Sequence, residues 1–462
     1  MEVLLGIFFC LFAAMVAGVM VWRVSQGEPL LSTLHFFLAG FIIFQLTSAA
    51  LAFFFEAYGE IKPSSPTESG LLYAMYLLAF FGFFILAFKT GIMSFGLDRR
   101  LGTSFPVPGS MTLLALAYGL FGVSAFIRFV LAYVPFISPL ALVVYAGVAA
   151  AAVGLACWAW ARHWNNPVYV LLAGMLVLAA VGMVIYQNFG RRDLTSVVLC
   201  AAWGAYHGHF KRISLARAAL PLAVVTAFGL VVVAAFTASR TERIVSLSFT
   251  TVVGNLFSAN ILNGLYQMFS GQEAATNAMY LIETRPDGIP YDTLHSLYYG
   301  VSLPVPRVFW QSKPEPLGLT MVPEYGVKNK SPGYNVGPGM IGHVVNDNVW
   351  ICLWLYPILL AAGFRVMDRL LTRFADNPFV VVPLGVALGE ITAMPRGEFG
   401  LFLSRGLTNI VSAYALLWCT AKVMIMLGFR FRALEESAED APEPQDEGEL
   451  VDLELQRRYT RE

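Results

Sequence analysis

Apolar runs of membrane length recur along almost the whole chain, and they constrain the fold more than any motif does. A run such as "LLYAMYLLAFFGFFILAF" (71–88) carries no charge. A helix that crosses the hydrocarbon core needs about 20 such residues. By that criterion about eleven spans are predicted, near 3–22, 34–55, 70–88, 110–134, 140–161, 168–187, 194–207, 217–237, 349–364, 378–394 and 406–427. The seventh, "LTSVVLCAAWGAYH", is the shortest of these. Composition agrees: 57% of residues are hydrophobic and 13% charged, the latter about half the share usual in soluble domains. The expected fold class is therefore an all-α polytopic integral membrane protein. It divides into N-terminal spans (1–237), one large polar loop (238–348), C-terminal spans (349–428) and a tail (429–462).

Charge sets the expected orientation. Lys and Arg concentrate in alternate loops, at Arg23, at Lys89, Arg99 and Arg100, at Arg162, at Lys211, Arg212 and Arg217, at Arg365, Arg369 and Arg373, and at Arg430 and Arg432. These loops are assigned to the cytoplasm. The N-terminus and the large loop then face outward and the C-terminus inward. The first run lacks a basic leader and is long, so it is expected to stay as a span. The formal net charge of zero hides a strongly acidic tail, "ALEESAEDAPEPQDEGELVDLE". Its composition predicts disorder. Nothing in the charge pattern suggests binding to nucleic acid. Cys10, Cys157, Cys200, Cys352 and Cys419 lie in or beside apolar runs, without CxxC spacing, and read as small core residues.

The exceptions to the charge rule carry the functional signal. "NFGRRDLTS" places Arg191 and Arg192 on the outer face, and "AMPRGEFGLFLSRG" adds Arg396 and Arg405. The large loop contributes Arg240, Arg243, Arg285, Arg307 and Lys313 to the same face. Cations gathered there fit either a bound anion or contact with lipid headgroups. Within the loop, 247–271 reads as a surface-lying or re-entrant helix, and an amphipathic helix is expected over 275–283. A turn follows at "RPDGIP", then a short helix in "TLHSLYYGVSLP". Pro304 and Pro306 are expected to hold the chain extended into Arg307.

The hook "PVPRVFWQSKPEPLG", followed by "GPGMIGHVVND" at the next span, resembles the bacterial oligosaccharide repeat-unit polymerases, the Wzy-type O-antigen polymerases. That family carries a Pro-Arg-x-x-Trp-x-x-Lys-Pro hook in its large periplasmic loop. It is matched here by Pro306, Arg307, Trp310, Lys313 and Pro314. "FGRRDLTS" resembles the Gly/Arg stretch that opens a span, and "PRGEF" resembles an Arg-Gly-acid-Phe motif after the loop. The resemblance spans residues 185–410. One departure is His343: it follows Gly342 where a Gly-Glu pair is expected, and the related O-antigen ligases use a large-loop histidine.

The resemblance implies a GT-C-like glycosyltransferase of the bacterial inner membrane, with its active site on the periplasmic side. Two polyprenyl-diphosphate-linked oligosaccharides would be its substrates. A flippase and a chain-length regulator would be its partners. A hydroxyl attacks the anomeric carbon, the polyprenyl diphosphate leaves, and the configuration inverts. Arginine forks suit the diphosphate, so neither a metal nor a cofactor is expected. The implied catalytic residues are His343, as general base, with Arg307 and Arg191. His295, Asp292, Glu398 and Asp347 are alternative bases. Arg192, Arg240, Trp310, Lys313, Arg396, Glu398 and Arg405 are expected to bind diphosphate or glycan, and Trp310 either stacks on a sugar or anchors at the interface. A ligase acting on lipid A core and a transporter of lipid-linked oligosaccharide are the competing readings. A transporter would want charges deep in its spans, where the sequence offers Arg128 and Glu390.

Overall fold

The structure is a computed structural model. It describes residues 1–59, 61–92, 107–186, 191–212, 227, 229–238, 254, 258–269, 273–326 and 336–429. Every regular element among them is helical. The chain begins with α1 (Glu2–Ser25), α2 (Thr33–Phe55), α3 (Pro66–Thr90), α4 (Ser110–Phe129), α5 (Ser138–Arg162) and α6 (Pro167–Ile185). Two less regular candidates follow, α7 (Arg191–Gly208) and α8 (Gly229–Ala238). Short helices come next: α9 (Ile261–Phe269), α10 (Ala274–Thr284), α11 (His295–Ser302), α12 (Leu317–Glu324) and α13 (Gly339–Asn346). The last are α14 (Val349–Arg373), α15 (Pro378–Arg396) and α16 (Phe399–Met426).

Among the described residues, nine helices are long and apolar enough to cross a membrane: α1 to α6 and α14 to α16. The protein is thus a helical, polytopic membrane protein. The other two predicted spans differ for identifiable reasons. Helix α7 opens on Arg191, Arg192 and Asp193, which dilute its apolar character. Of the run at 217–237, most of the first half lies outside the described residues, and α8 is the apolar remainder.

Local sequence explains where the spans begin. "NNP" and "DNP" open α6 and α15, with a proline in the first turn, where its missing N–H costs nothing. The preceding Asn166 and Asn377 cap them, each side-chain oxygen accepting a backbone N–H at 3.0 Å and 2.9 Å. Helix α5 is the buried centre. Every residue from Val144 to Ala159 is buried, and small residues let its neighbours approach to backbone contact. A Cβ on Gly204 of α7 would lie 2.0 Å from the carbonyl oxygen of Gly154 of α5.

Helices α10 to α13 cap one end of the bundle. Helix α10 packs on α13 and α3, α11 on α16, and α13 on α14. Ser64 and Ser65, before α3, donate their N–H groups to Glu283 of α10 at 2.6 Å and 2.7 Å. The expected loop helices appear as α10 and α11. Helix α9 covers 261–269 of the expected surface helix. The hook departs from expectation: 304–312 is a series of turns, not an extended strand. The Pro306 carbonyl accepts the N–H of Phe309 at 3.0 Å. The Lys313 ammonium reaches back to the carbonyls of Leu303 and Val305 at 2.8 Å and 3.1 Å. A cation that satisfies two carbonyls folds the segment on itself, against the extended preference that proline imposes.

Candidate active site beneath the cap

Two polar constellations meet where the cap sits on the spans. The first joins α7, α15 and α16. Arg192 Nη1 lies 3.4 Å from Glu390 Oε2, and Arg405 Nε lies 3.1 Å from Glu390 Oε1. Arg405 Nη2 also reaches Asp193 Oδ1 at 3.3 Å. Glu390 is 1% exposed. Helix α15 is broken between Gly385 and Leu388, which turns Glu390 toward both arginines. Glycine is required nearby: a Cβ on Gly389 would stand 2.5 Å from the carbonyl oxygen of Arg192. Arg192 also lies over the Phe402 ring at 5.1 Å.

The second constellation is held by α11, α13 and the start of α16. His343 is fully buried, its Nδ1 2.7 Å from Ser296 Oγ and 3.7 Å from Glu398 Oε1. Asp347 Oδ2 accepts the N–H of Ser296 at 2.7 Å and the Tyr356 hydroxyl, and Asn346 donates to Oδ1 at 3.1 Å. Glu398 Oε2 accepts the N–H of Leu317 at 3.0 Å, whereas Oε1 has no hydrogen bond. Burial, then the charge of Asp347, pushes the Glu398 carboxyl up to about 8. Burial pulls His343 down to about 3 and raises Asp347. Near neutrality His343 is therefore uncharged and Glu398 holds a proton. That proton belongs on Oε1, because Oε2 already receives an N–H.

Tyr299 of α11 links the two. It is buried, and the charges of Glu398, Arg307, Arg192 and Arg405 all act on it, after burial, which raises its hydroxyl. The seam that brings it there is glycine on both sides. A Cβ on Gly400 would lie 1.7 Å from the Ser296 carbonyl oxygen, and one on Gly300 would lie 2.7 Å from that of Gly400.

The hook lies over this region. Arg307 and Glu315 are 3.8 Å apart, both half-exposed. Trp310 meets Tyr298 edge-on at 5.5 Å. His295 sits between Asp292 Oδ2 (2.6 Å) and the Glu315 carbonyl (2.8 Å), which pins the base of the hook. Burial, then the Arg307 charge, lowers Lys313. Lys313 is thus committed to the backbone of the hook.

The sequence-predicted residues divide accordingly. His343 and Glu398 fall in one constellation, Arg192 and Arg405 in the other, and Arg307 beside Tyr299. Arg396 closes α15 against the loop before α13, with its carbonyl oxygen 2.9 Å from where a Gly337 Cβ would stand. Trp310 and Lys313 shape the hook. Arg191 opens α7, but its side chain lies outside the described residues, as does all of Arg240. Sequence reasoning missed Ser296, Tyr299 and Asp193. Asp193 adjoins the Arg-Arg pair, and that adjacency was the available signal. Ser296 and Tyr299 looked like ordinary residues of an amphipathic turn.

No family model, curated protein or solved structure matches the chain.

Proposed function

We propose that this protein polymerises polyprenyl-diphosphate-linked oligosaccharide repeat units by inverting glycosyl transfer on the periplasmic face of a bacterial inner membrane. One observation carries the reading: Glu398, a buried carboxyl pushed up to about 8 and with Oε1 unbonded, lies at the end of the molecule that gathers Arg192, Arg307 and Arg405 around Tyr299. Group transfer from a diphosphate asks for that pairing, a proton acceptor beside cations.

The acceptor hydroxyl oxygen forms a bond to the anomeric carbon while the bond from that carbon to the diphosphate oxygen breaks. The electron pair leaves with polyprenyl diphosphate. The hydroxyl proton passes to ionised Glu398 and from there to water. Arg307 and Arg191 stabilise the charge that develops on the diphosphate. Glu398 replaces His343 as the base in this scheme. A histidine held near 3 is too weak a base for a sugar hydroxyl, and its Nδ1 already meets Ser296. His343 acts instead as a positioning residue for Glu398. Glu398 is 6% exposed and lies beneath the turn whose Leu317 N–H it accepts at 3.0 Å.

The test is reconstitution of the purified protein in liposomes with a polyprenyl-diphosphate oligosaccharide from its own organism, with EDTA and without nucleotide. A ladder of repeat lengths on a gel supports the polymerase. Intact substrate that is consumed only on addition of lipid A core would make the protein a ligase. Substrate moved across the bilayer unchanged would make it a transporter.

A further inference from the structure

Arg128 lies inside a membrane span, in the last turns of α4, and is 6% exposed. Among the described residues no carboxylate pairs with it. Its Nη2 donates to the Tyr186 carbonyl at 3.3 Å, its guanidinium lies 5.4 Å from the Tyr145 ring and 6.0 Å from the Phe129 ring, and its Nε has no partner. A cation within a span costs several kcal/mol unless something offsets it, and such residues mark sites of function. Aromatic faces and one carbonyl offset only part of that cost.

The same turn of α4 walls an apolar groove. It holds about 470 Å³ and runs between α4 and α6, with Ala125 and Phe129 on one wall and Gly182, Met183 and Tyr186 on the other. Arg128 follows Ala125 by one helical turn and bonds to Tyr186, so it stands at the groove's end. A Cβ on Gly182 would meet nothing within 4 Å. The glycine therefore leaves space that no side chain among the described residues fills. From Arg128 the Tyr145 ring leads inward: Tyr145 is within electrostatic reach of Arg405, and α5 packs on α16. The groove thus begins at the lipid-facing surface and ends one aromatic ring from the charge network beneath the cap.

We propose that this groove seats the isoprenoid chain of a lipid phosphate, with Arg128 receiving the anionic head before it passes to Arg307 of the hook. The choice of an isoprenoid rests on the polymerase reading. The anionic head rests on the absence of a carboxylate partner for Arg128 among the described residues, and the chain on an apolar groove that runs between two helices.

The test is native mass spectrometry of the full chain equilibrated with undecaprenyl phosphate, with phosphatidylglycerol at equal concentration as competitor. The unsubstituted protein should retain undecaprenyl phosphate selectively. Gly182→Trp, which fills the groove, and Arg128→Gln should each lower retention about tenfold, the effect of one charge-assisted hydrogen bond or its steric equivalent. Leu11→Trp, on α1, 66% exposed and on a helix that packs on α2 and α3 rather than on α4 or α6, should leave retention unchanged. If Arg128→Gln does not fold, Gly182→Trp decides alone. Equal retention in Gly182→Trp and the unsubstituted protein overturns the proposal, and so does equal retention of phosphatidylglycerol, which would mean an annular lipid only. The polymerase reading stands or falls separately. A repeat ladder with groove-independent binding removes the groove and keeps the polymerase. Groove-dependent binding without a ladder does the reverse.

Discussion

Arg192 and Arg405 share one end of the molecule with Arg307, yet the two sets are neutralised differently. The first two are paired with the buried carboxylates of Glu390 and Asp193. Arg307 is half-exposed and, among the described residues, pairs only with Glu315, at 3.8 Å. A cation already paired in the fold gains little from a further anion, whereas one left in solvent keeps its capacity for a phosphate. On the proposed function, the comparison assigns the ion-paired arginines to architecture and field, and the hook arginine to direct contact with substrate. Mutations that separate structural loss from loss of activity will break or sharpen that division.

The largest effect is expected where the cap docks. Gly400→Ala places a Cβ 1.7 Å from the Ser296 carbonyl oxygen. Backbone cannot yield as a side-chain tip does, so α11 must shift and take Ser296 and Tyr299 with it. A loss of about 3 kcal/mol or more is expected, read as a fall in Tm in detergent together with loss of activity. A Gly400→Ala protein with normal Tm and activity would show that the seam is looser than drawn. Next comes Glu390→Gln, which leaves two arginines facing each other around a neutral amide. Removing one partner of a buried ion pair costs about 3–5 kcal/mol. Tm should fall, and the double variant Glu390→Gln with Arg405→Gln should recover part of the loss. No recovery would argue against direct pairing.

Arg307→Ala should behave in the opposite way. An exposed pair contributes under about 1 kcal/mol, so Tm should hardly move. Turnover should fall about 100-fold, as for loss of one preorganised donor to transition-state charge, and Arg307→Lys should restore only part of it. A matched fall in Tm and activity would return Arg307 to architecture. The pH profile examines the base. Glu398 must be ionised to accept a proton and its carboxyl titrates near 8, so kcat/KM should rise tenfold per unit below that point and level off above it. Stability carries the opposite sign. The raised carboxyl favours the folded state while protonated, and that contribution is lost as pH rises from the ordinary carboxylate range through about 8. Activity that is flat from pH 6 to 9 would remove Glu398 as the base.

Much of the fold was legible because hydrocarbon imposes a coarse rule. Span positions followed from run length, and α10 and α11 from periodicity and prolines. The rule weakened where polar residues enter a span, as at the start of α7. The candidate site was legible only by type. Local sequence marks Arg192, Arg307, Arg396 and Arg405 as cations on one face, but pairing with Glu390 and Asp193 depends on contacts between residues some 200 positions apart, such as Arg192 with Glu390. Ser296 beside His343, 47 positions away, is equally invisible before folding. The hook's conformation was misread because proline preferences are local, whereas the bonds from Lys313 to Leu303 and Val305 span up to ten residues.

The smallest effect is expected at the opposite end of the bundle, and it tests the contrast from the other side. Asp376 accepts from Lys211 and Arg212, each at 2.8 Å, but is 63% exposed. Despite the opposing effect of burial, these two cations hold its carboxyl down to about 2. A depressed carboxyl stabilises the fold at neutral pH, and that contribution is lost as pH falls from the ordinary range toward about 2. Solvent screens an exposed pair, so Asp376→Asn should cost under about 1 kcal/mol. The small shift in Tm should shrink further in molar salt. Turnover at saturating substrate should stay the same, because this corner lies at the far ends of the spans from Glu398 and Arg307. A large loss of activity in Asp376→Asn would mean that the two ends of the bundle are coupled, and the division between architectural and substrate-facing arginines would then need a conformational term.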